Sequence, residues 1–392
     1  MVEQQYIDFF REERAQIEAN SPQTMNVCRD KAFETFCRMG FPTRKEERYR
    51  YTDVRHDFTP NYGISLRGQG TQHDIPKQYN TIADQDDSLV ALNTMMATDC
   101  MVVHLKKGER PAHPIQITNT LKGEHSEMVS RRILIILEEQ AEADIIIVER
   151  AASQQQFLTN LVIEVFCGDG ANLRLYDIEE THLLCTRYSN TFIRVGNGST
   201  VHHSLLTLFN GHSRNRCDVT FEGKNSSVVL NGCVIADKMQ HVDNNTLIDH
   251  KVPECNSKQL YKYVLDDSAV GAFAGRILVR EGAQRTSSTE TNANLCATST
   301  AHMYTQPMLE IYADDVQCSH GATVGQMNED ALFYMKQRGI SEHEARLLLK
   351  SAFITEVIEN IPLSSLRDRL HVLVERRLKG ELSKCEGCKL CK

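Results

Sequence analysis

Cys318 and His320 lie two residues apart in YADDVQCSHGATVG, residues 312–325. In an extended chain, positions i and i+2 face the same side, so a thiolate and an imidazole can approach one ion together. These donors suit zinc, iron or copper, each donor losing its proton on binding. Two donors do not close a coordination sphere, so the other ligands must come from elsewhere, including another chain. Two further readings stay open at this point. One is a Cys–His nucleophilic dyad, which side chains pointing in parallel disfavour. The other is ordinary packing at a strand end. The neighbouring Asp314 and Asp315 would point to opposite faces of a strand, so they read as turn or solvation residues and not as an acid/base couple.

The remaining candidates are weaker. CEGCKLCK places Cys385, Cys388 and Cys391 at C-x2-C-x2-C spacing. This matches the first three ligands of a bacterial ferredoxin run without its fourth cysteine. It reads either as a thiol-rich tail that hands over metal or sulfur, or as a chain end that picks up metal adventitiously. In HVDNNTLIDH, His241, Asp243 and His250 converge only if the local coil folds back; otherwise such residues bond loop backbone. His202 and His203 are strand neighbours facing opposite ways. No G-x4-G-K-[ST], H-E-x-x-H or G-x-S-x-G pattern occurs, so any ATP site in the system is expected on another subunit.

The composition narrows the class. The 392 residues carry a net charge of -8, which gives no field favouring nucleic acid or an acidic membrane surface. Hydrophobic residues at 41% and charged residues at 24% are ordinary for a folded chain. The longest apolar runs, such as Ile133 to Leu137, are far short of the ~20 residues of a membrane span. The start, MVEQQYIDFFREER, lacks the apolar stretch of a signal peptide. Thirteen cysteines, an odd number, fit reduced thiols or metal ligands better than a disulfide framework. A cytoplasmic location is the expectation.

Four zones must position these residues. Residues 1–97 read as a helical region followed by a polar linker. Tyr6, Phe9, Phe10 and Ile17 share a helix face, and Val27, Phe33, Phe36 and Cys37 suggest a second helix stopped by Gly40. Residues 55–95 are polar and turn-rich. Residues 98–325 change character, with short β-branched runs in repeated strand–turn–strand units. Ala143, Ala171, Ser199 and Ser226 follow the turns at spacings of 28, 28 and 27 residues. Ile145, Leu173, Val201 and Val228 come two residues later. This period reads as a β-solenoid whose coils bury their apolar faces on each other, with a β-sandwich as the alternative. Residues 326–380 are helical again. Asn328 and the Ser341–Glu344 capping box start helices, and Pro362 separates two of them. Leu366, Leu370, Leu373 and Val374 mark the last face. The arc containing Leu348, Ala352, Phe353 and Val357 is wide enough both to pack on the solenoid's end and to hold a partner. Residues 381–392 form the cysteine tail.

PMLEIYADDVQCSHGATVGQMNEDALFYMKQRGISEHEARLLL, residues 307–349, resembles the signature of the SufB/SufD family of iron–sulfur cluster assembly proteins. QHVDNNTLIDHKVPECNSKQL, TNANL and the N-terminal GFPTRKEERYRYT resemble it too. CSHGATVG is the SufD-like form; SufB-like chains carry an acidic-His-acidic sequence there. The cysteine tail does not map onto the family pattern. The resemblance implies a mainly β protein, with a right-handed parallel β-helix core flanked by N-terminal and C-terminal α-helical segments. It implies a non-catalytic scaffold subunit in a complex with SufB and two copies of the ABC ATPase SufC. The β-helix would pair with SufB, or with a second copy when SufB is absent, and the C-terminal helices would dock SufC. A transient iron–sulfur cluster or iron would sit at the SufB interface, with His320 as ligand and Cys318 as neighbouring candidate, and the subunit would aid iron entry. Reduced flavin in the complex is a further implication. The rival is a β-helix enzyme acting on a polysaccharide or small substrate, which needs a ladder of charged groups along an outer groove. A self-assembling structural solenoid is a third reading.

Overall fold

The computed structural model describes residues 2–66 and 74–381. Its helices are α1 (Val2–Ala19), α2 (Gln23–Asn26), α3 (Arg29–Met39), α4 (Val54–Asp57), α5 (Ser88–Met96), α6 (Glu329–Gln337), α7 (Glu342–Glu359) and α8 (Ser364–Leu378). The strands in chain order are β1 (Gly63–Ser65), β2 (Met101–Leu105), β3 (Ile115–Leu121), β4 (Glu127–Leu137), β5 (Glu142–Ala151) and β6 (Phe157–Cys167). They continue with β7 (Asn172–Glu180), β8 (Cys185–Val195), β9 (Thr200–Phe209), β10 (His212–Phe221), β11 (Ser227–Ala236) and β12 (His241–His250). The last are β13 (Asn256–Leu265), β14 (Val270–Val279), β15 (Thr286–Cys296), β16 (His302–Ile311) and β17 (Val316–Gln326).

From β3 onward, odd and even strands part company. The even strands β4 to β16 stack into one parallel sheet, with β1 and β2 both beside β4; the odd strands β3 to β17 stack into a second. This is a parallel β-solenoid, as the repeat predicts. Each coil contributes one strand to each sheet, and inward side chains from both sheets fill the lumen. Ile133, Ile135, Ile145, Ile147, Leu161 and Ile163 are part of this core. At one corner of successive coils Gln140, Gly170, Gly198 and Asn225 take left-handed backbone with φ of 57°, 68°, 62° and 57°. Glycine and asparagine adopt that conformation cheaply, which explains the turn residues between the apolar runs.

The register corrects one detail of the repeat. Leu173 pairs with Val201 and Val201 with Val228, as the spacing predicts. Ala143, however, pairs with Leu173, so Ala141 and not Ala143 occupies the place of Ala171. The first coil is two residues longer, and the extra length sits at the corner between β5 and β6. A shift of two preserves which side chains face inward, so the pattern looked continuous.

Both outer faces of the solenoid are covered. The N-terminal region lies on the even sheet, where Tyr6, Phe10 and Phe58 share a cluster with Met128, Leu158 and Tyr188. The C-terminal helices lie on the odd sheet, where Ile354, Val357, Ile358 and Leu370 meet Val148, Ile178, Leu206 and Ile235. Their starts follow the sequence. Asn328 caps α6 through Ala331 N, Ser341 and Glu344 form a capping box on α7, and α8 buries Leu366, Leu370, Leu373 and Val374. Their placement does not. They run along the flank, because the outward side chains of the odd sheet are themselves apolar and need cover. The C-terminal end of the solenoid is therefore left open.

The N-terminal zone also departs from expectation. Within the stretch expected to be a polar linker, every residue of α5 is buried. Asp87 caps its start through Leu89 N and Val90 N. Asn93 Nδ2 donates to the carbonyls of Arg131 and Asn160 at 3.0 and 2.7 Å, fastening the helix to the solenoid. A helix buried all round has no polar face and so no amphipathic period. Val27 and Cys37 are exposed, so the second buried face rests on Ala32 and Phe36 instead.

Arg29 holds the C-terminus of α5. Fully buried, it donates to the carbonyls of Thr94 (3.0 Å), Met95 (2.6 Å) and Ala97 (2.8 Å). Those carbonyls have no helical partner, and a cation there complements the helix dipole. Arg29→Met should destabilise the chain by about 3 kcal/mol, since it leaves buried carbonyls unsatisfied; urea denaturation gives the value.

Candidate functional site

Cys318 and His320 lie on β17, the outermost strand of the odd sheet, and face the lumen. Cys318 packs against the cluster of Ile277, Val279, Ala283 and Ala313 and is half-buried. Burial pushes its thiol pKa up. His320, one rung position on, is exposed because no further coil covers it. Among the described residues β16 and β17 each pair along one edge only, and neither strand has a buried residue. By contrast β8, in mid-solenoid, is buried at ten of its eleven positions. Tyr304, Ile311, Tyr312 and Val324 stand exposed around the same end.

The parallel ladder stacks a polar column beneath the two candidates. Ser288 pairs with Cys318 and Glu290 with His320; one coil further in, Ser257 pairs with Ser288 and Gln259 with Glu290. The column is bonded together. His250 Nε2 lies 3.0 Å from Ser257 Oγ, and Ser257 Oγ lies 2.6 Å from Ser288 Oγ. Gln259 Nε2 donates to Glu290 Oε2 at 3.0 Å. The other oxygen, Glu290 Oε1, is buried and has no partner within the chain. Burial pushes the Glu290 pKa up to about 8. Across the lumen the carboxyl lies against Gly275, where a Cβ would stand 2.3 to 2.6 Å from its atoms. Glycine at that position leaves the room the carboxyl occupies.

The sequence missed Glu290 because nothing in TETNANL marks it as functional. The signal was the repeat itself: extending the coil period past residue 228 places Glu290 under His320. The two candidates do not make a complete site. Among the described residues no three His, Cys, Asp or Glu side chains converge to hold a metal ion. The arrangement is a half-site on an open rung.

The other candidates separate. His241 and Asp243 point away from the lumen toward Thr52, which lies 3.3 Å from His241 Nε2 and donates to Asp243 at 2.6 Å. His250 points inward, so the three do not converge. His203 lies 3.5 Å from Cys217 Sγ, and burial lowers its pKa to about 4; His202 faces the other way, toward Asn231. A cleft of about 790 Å³ runs along the N-terminal region, with Asp57, His212 and Met239 in its walls. There His212 Nδ1 contacts Asp57 at 2.6 Å. Cys385, Cys388 and Cys391 lie outside the described residues.

The helical face expected to hold a partner is split. Leu348 is 52% exposed and Ala352 is exposed, whereas Val357 is 1% exposed and packs on the solenoid. Phe353 is half-buried under Lys262, whose Nζ stands 4.6 Å from the ring centroid. Val357 therefore belongs to the core, because the wide apolar arc of α7 serves the flank of the odd sheet first. Phe333 and Tyr334 on α6 are exposed and extend the outward apolar surface.

Comparison with known proteins gives a consistent family. Residues 119–353 match the family model described as SUF system FeS cluster assembly, SufBD core domain. Residues 1–81 and 71–117 match the SufBD protein N-terminal region. The iron–sulfur cluster assembly protein SufD of Escherichia coli K12 is 26% identical over 383 residues, covering 88% of this chain and 90% of that protein. An iron–sulfur cluster assembly SufBD family protein of Synechocystis is 30% identical over 310 residues, 75% of this chain and 67% of that one. The chloroplastic protein ABCI7 of Arabidopsis thaliana is 29% identical over 299 residues, 73% of this chain and 62% of that one.

Glu290 supplies a test of the buried column. A carboxyl whose pKa is raised on folding holds its proton more tightly in the native state. Its stability contribution is intact below the unfolded value of about 4.5 and is lost as pH rises toward 8. Glu290→Gln removes that loss. Relative to the parent, the variant should gain about 1.4 kcal/mol per pH unit between roughly pH 5 and 7.5, measured by urea denaturation across that range.

Proposed function

The chain belongs to the SufBD family of iron–sulfur cluster assembly proteins, and on that premise we propose that it is a SufD-like scaffold subunit joined to SufB through the open end of its solenoid. The observation that carries this reading is the uncovered last rung. β16 and β17 offer unpaired backbone edges, exposed apolar side chains surround them, and Cys318 and His320 lie between them. An exposed sheet edge is a template for pairing with another strand. A SufB-type chain stacking its own last coil there would bury the rung and bring the missing ligands to His320. Iron or a nascent cluster is then cargo held between the two subunits, and this chain aids iron entry without catalysing a reaction itself.

In the same reading the outward surface of α6 and α7, with Phe333, Tyr334, Leu348 and Ala352, docks the ATPase SufC. α7 is fastened to the odd sheet, so a movement of the docked subunit would be passed to the strands that carry the interface. The enzyme reading has less support. Both broad faces of the solenoid, where a polysaccharide would lie, are packed under helices.

Reconstitution with SufB and SufC tests the two surfaces separately. His320→Ala should lower cluster formation at least tenfold while the purified complex keeps its composition; full cluster yield would overturn the half-site. Leu348→Asp should weaken SufC retention on the column without lowering the melting temperature. Leu348 is the better probe than Phe353, whose ring is partly inside the fold.

A further inference from the structure

We propose that Glu290 is a positioning residue for His320: its unpartnered carboxyl oxygen accepts a ring N–H of the imidazole and turns the other ring nitrogen outward across the open end, toward the partner. This inference rests on the proposal that His320 binds iron at the interface with SufB.

Three observations carry it. The first is register. Glu290 of β15 and His320 of β17 are directly paired in a parallel ladder, so their side chains stand on the same face, about 4.8 Å apart at the backbone. The second is the imbalance at the carboxyl. Glu290 is 1% exposed, its Oε2 is held by Gln259, and its Oε1 has no partner. A buried polar atom left unpaired costs about 1–3 kcal/mol, so an acceptor kept in this state at the last covered rung calls for a donor. The donor nearest in the ladder is on the rung above. The third is the seat. Gly275, on the opposite sheet, leaves space that the carboxyl fills, and any Cβ there would overlap it. Gln259 and Gly275 together fix the group from below and from across the lumen, leaving only the side toward β17.

In the isolated chain His320 is open to water, which competes for its ring nitrogens. Stacking a partner's rung on β17 excludes that water and makes the Glu290 oxygen the acceptor within reach. A histidine that ligates a metal commonly donates its other ring N–H to a carboxylate or carbonyl, which fixes tautomer and ring orientation. A neutral carboxyl accepts through its carbonyl oxygen as a carboxylate does, so the contact does not depend on the proton on Glu290. Cys318 has no such support. Its rung partner is Ser288, whose hydroxyl is already bonded to Ser257.

The test uses the complex reconstituted with SufB and SufC, carrying Glu290→Leu, Glu290→Gln, His320→Ala or Glu290→Leu with His320→Ala. Two quantities are read: the iron(II) concentration giving half-maximal cluster formation, and the iron retained per complex after gel filtration. Glu290→Leu, which cannot accept, should raise the half-saturating iron about 10–100-fold and lower retained iron, with complex recovery and melting temperature kept. Glu290→Gln keeps an acceptor and should stay near the parent. In the double variant, Glu290→Leu should add nothing to the loss caused by His320→Ala. Parent-like iron dependence in Glu290→Leu, an equal defect in Glu290→Gln, or an additive defect in the double variant each overturns the inference. If His320→Ala itself leaves iron retention and cluster formation unchanged, the underlying half-site reading fails instead. A Glu290→Leu chain that does not assemble is replaced by Glu290→Met, which has similar length and no oxygen, and is judged by the same outcomes.

Discussion

Every feature of this chain depends on coil-on-coil registration. In a parallel solenoid each strand bonds to the strands one coil before and one coil after, and each inward side chain lies on its counterpart below. The middle of the stack is satisfied from both sides. The last coil is satisfied from one. That asymmetry produces an exposed pair of strand edges, an exposed histidine and a half-buried cysteine at the same place, with no local sequence device needed to create them.

The same stacking explains a lumen that changes along its length. In the early coils it is filled by Ile133, Ile135, Ile145, Ile147 and Ile163. Farther along, charge enters. Arg187, fully buried, grips Asp177 with two bonds of 2.8 and 2.7 Å, and Glu149 lies 3.7 Å from its Nε. Burial next to other carboxylates raises Glu179 to about 8. Asn215 then donates to Asn244, Asn244 to the Tyr263 hydroxyl, and Tyr263 to the Ala272 carbonyl. Buried ion pairs contribute little net stability, because desolvation offsets their attraction. What they do is fix register: a one-residue slip would bring Arg187 out of the lumen and leave Asp177 inside without a partner. Gln259 and Glu290 continue this polar interior to the open end.

The helices are fasteners of the two faces. Arg29 and Asn93 bind α5 to the even sheet, and Arg377 binds α8 to the odd sheet through the Leu208 carbonyl at 2.5 Å and Asp237 at 2.7 Å. Covering both flanks leaves the axial end as the uncovered part of the sheets. The outward residues of α6 and α7 are what remains of the apolar arc after the flank has been packed.

The sequence by itself determined the architecture that depends on local period and turn chemistry. The apolar runs around Gly170, Gly198 and Asn225 identified a solenoid, the Ser341–Glu344 pair located α7, and the spacing of Cys318 and His320 put both on one face. These are properties of neighbours in the chain. The tertiary structure decided what depends on distance along it. α5 was hidden because complete burial erases the amphipathic pattern. Val357 could not be told from Leu348, since both lie in one apolar arc and only the packed sheet divides them. Glu290 was silent because its role comes from a strand 30 residues away, through a register that even-numbered length changes at the corners leave invisible to a face-by-face pattern. The chain writes each rung locally, but which rung lies on which, and which one is left uncovered, is fixed only when the coils stack.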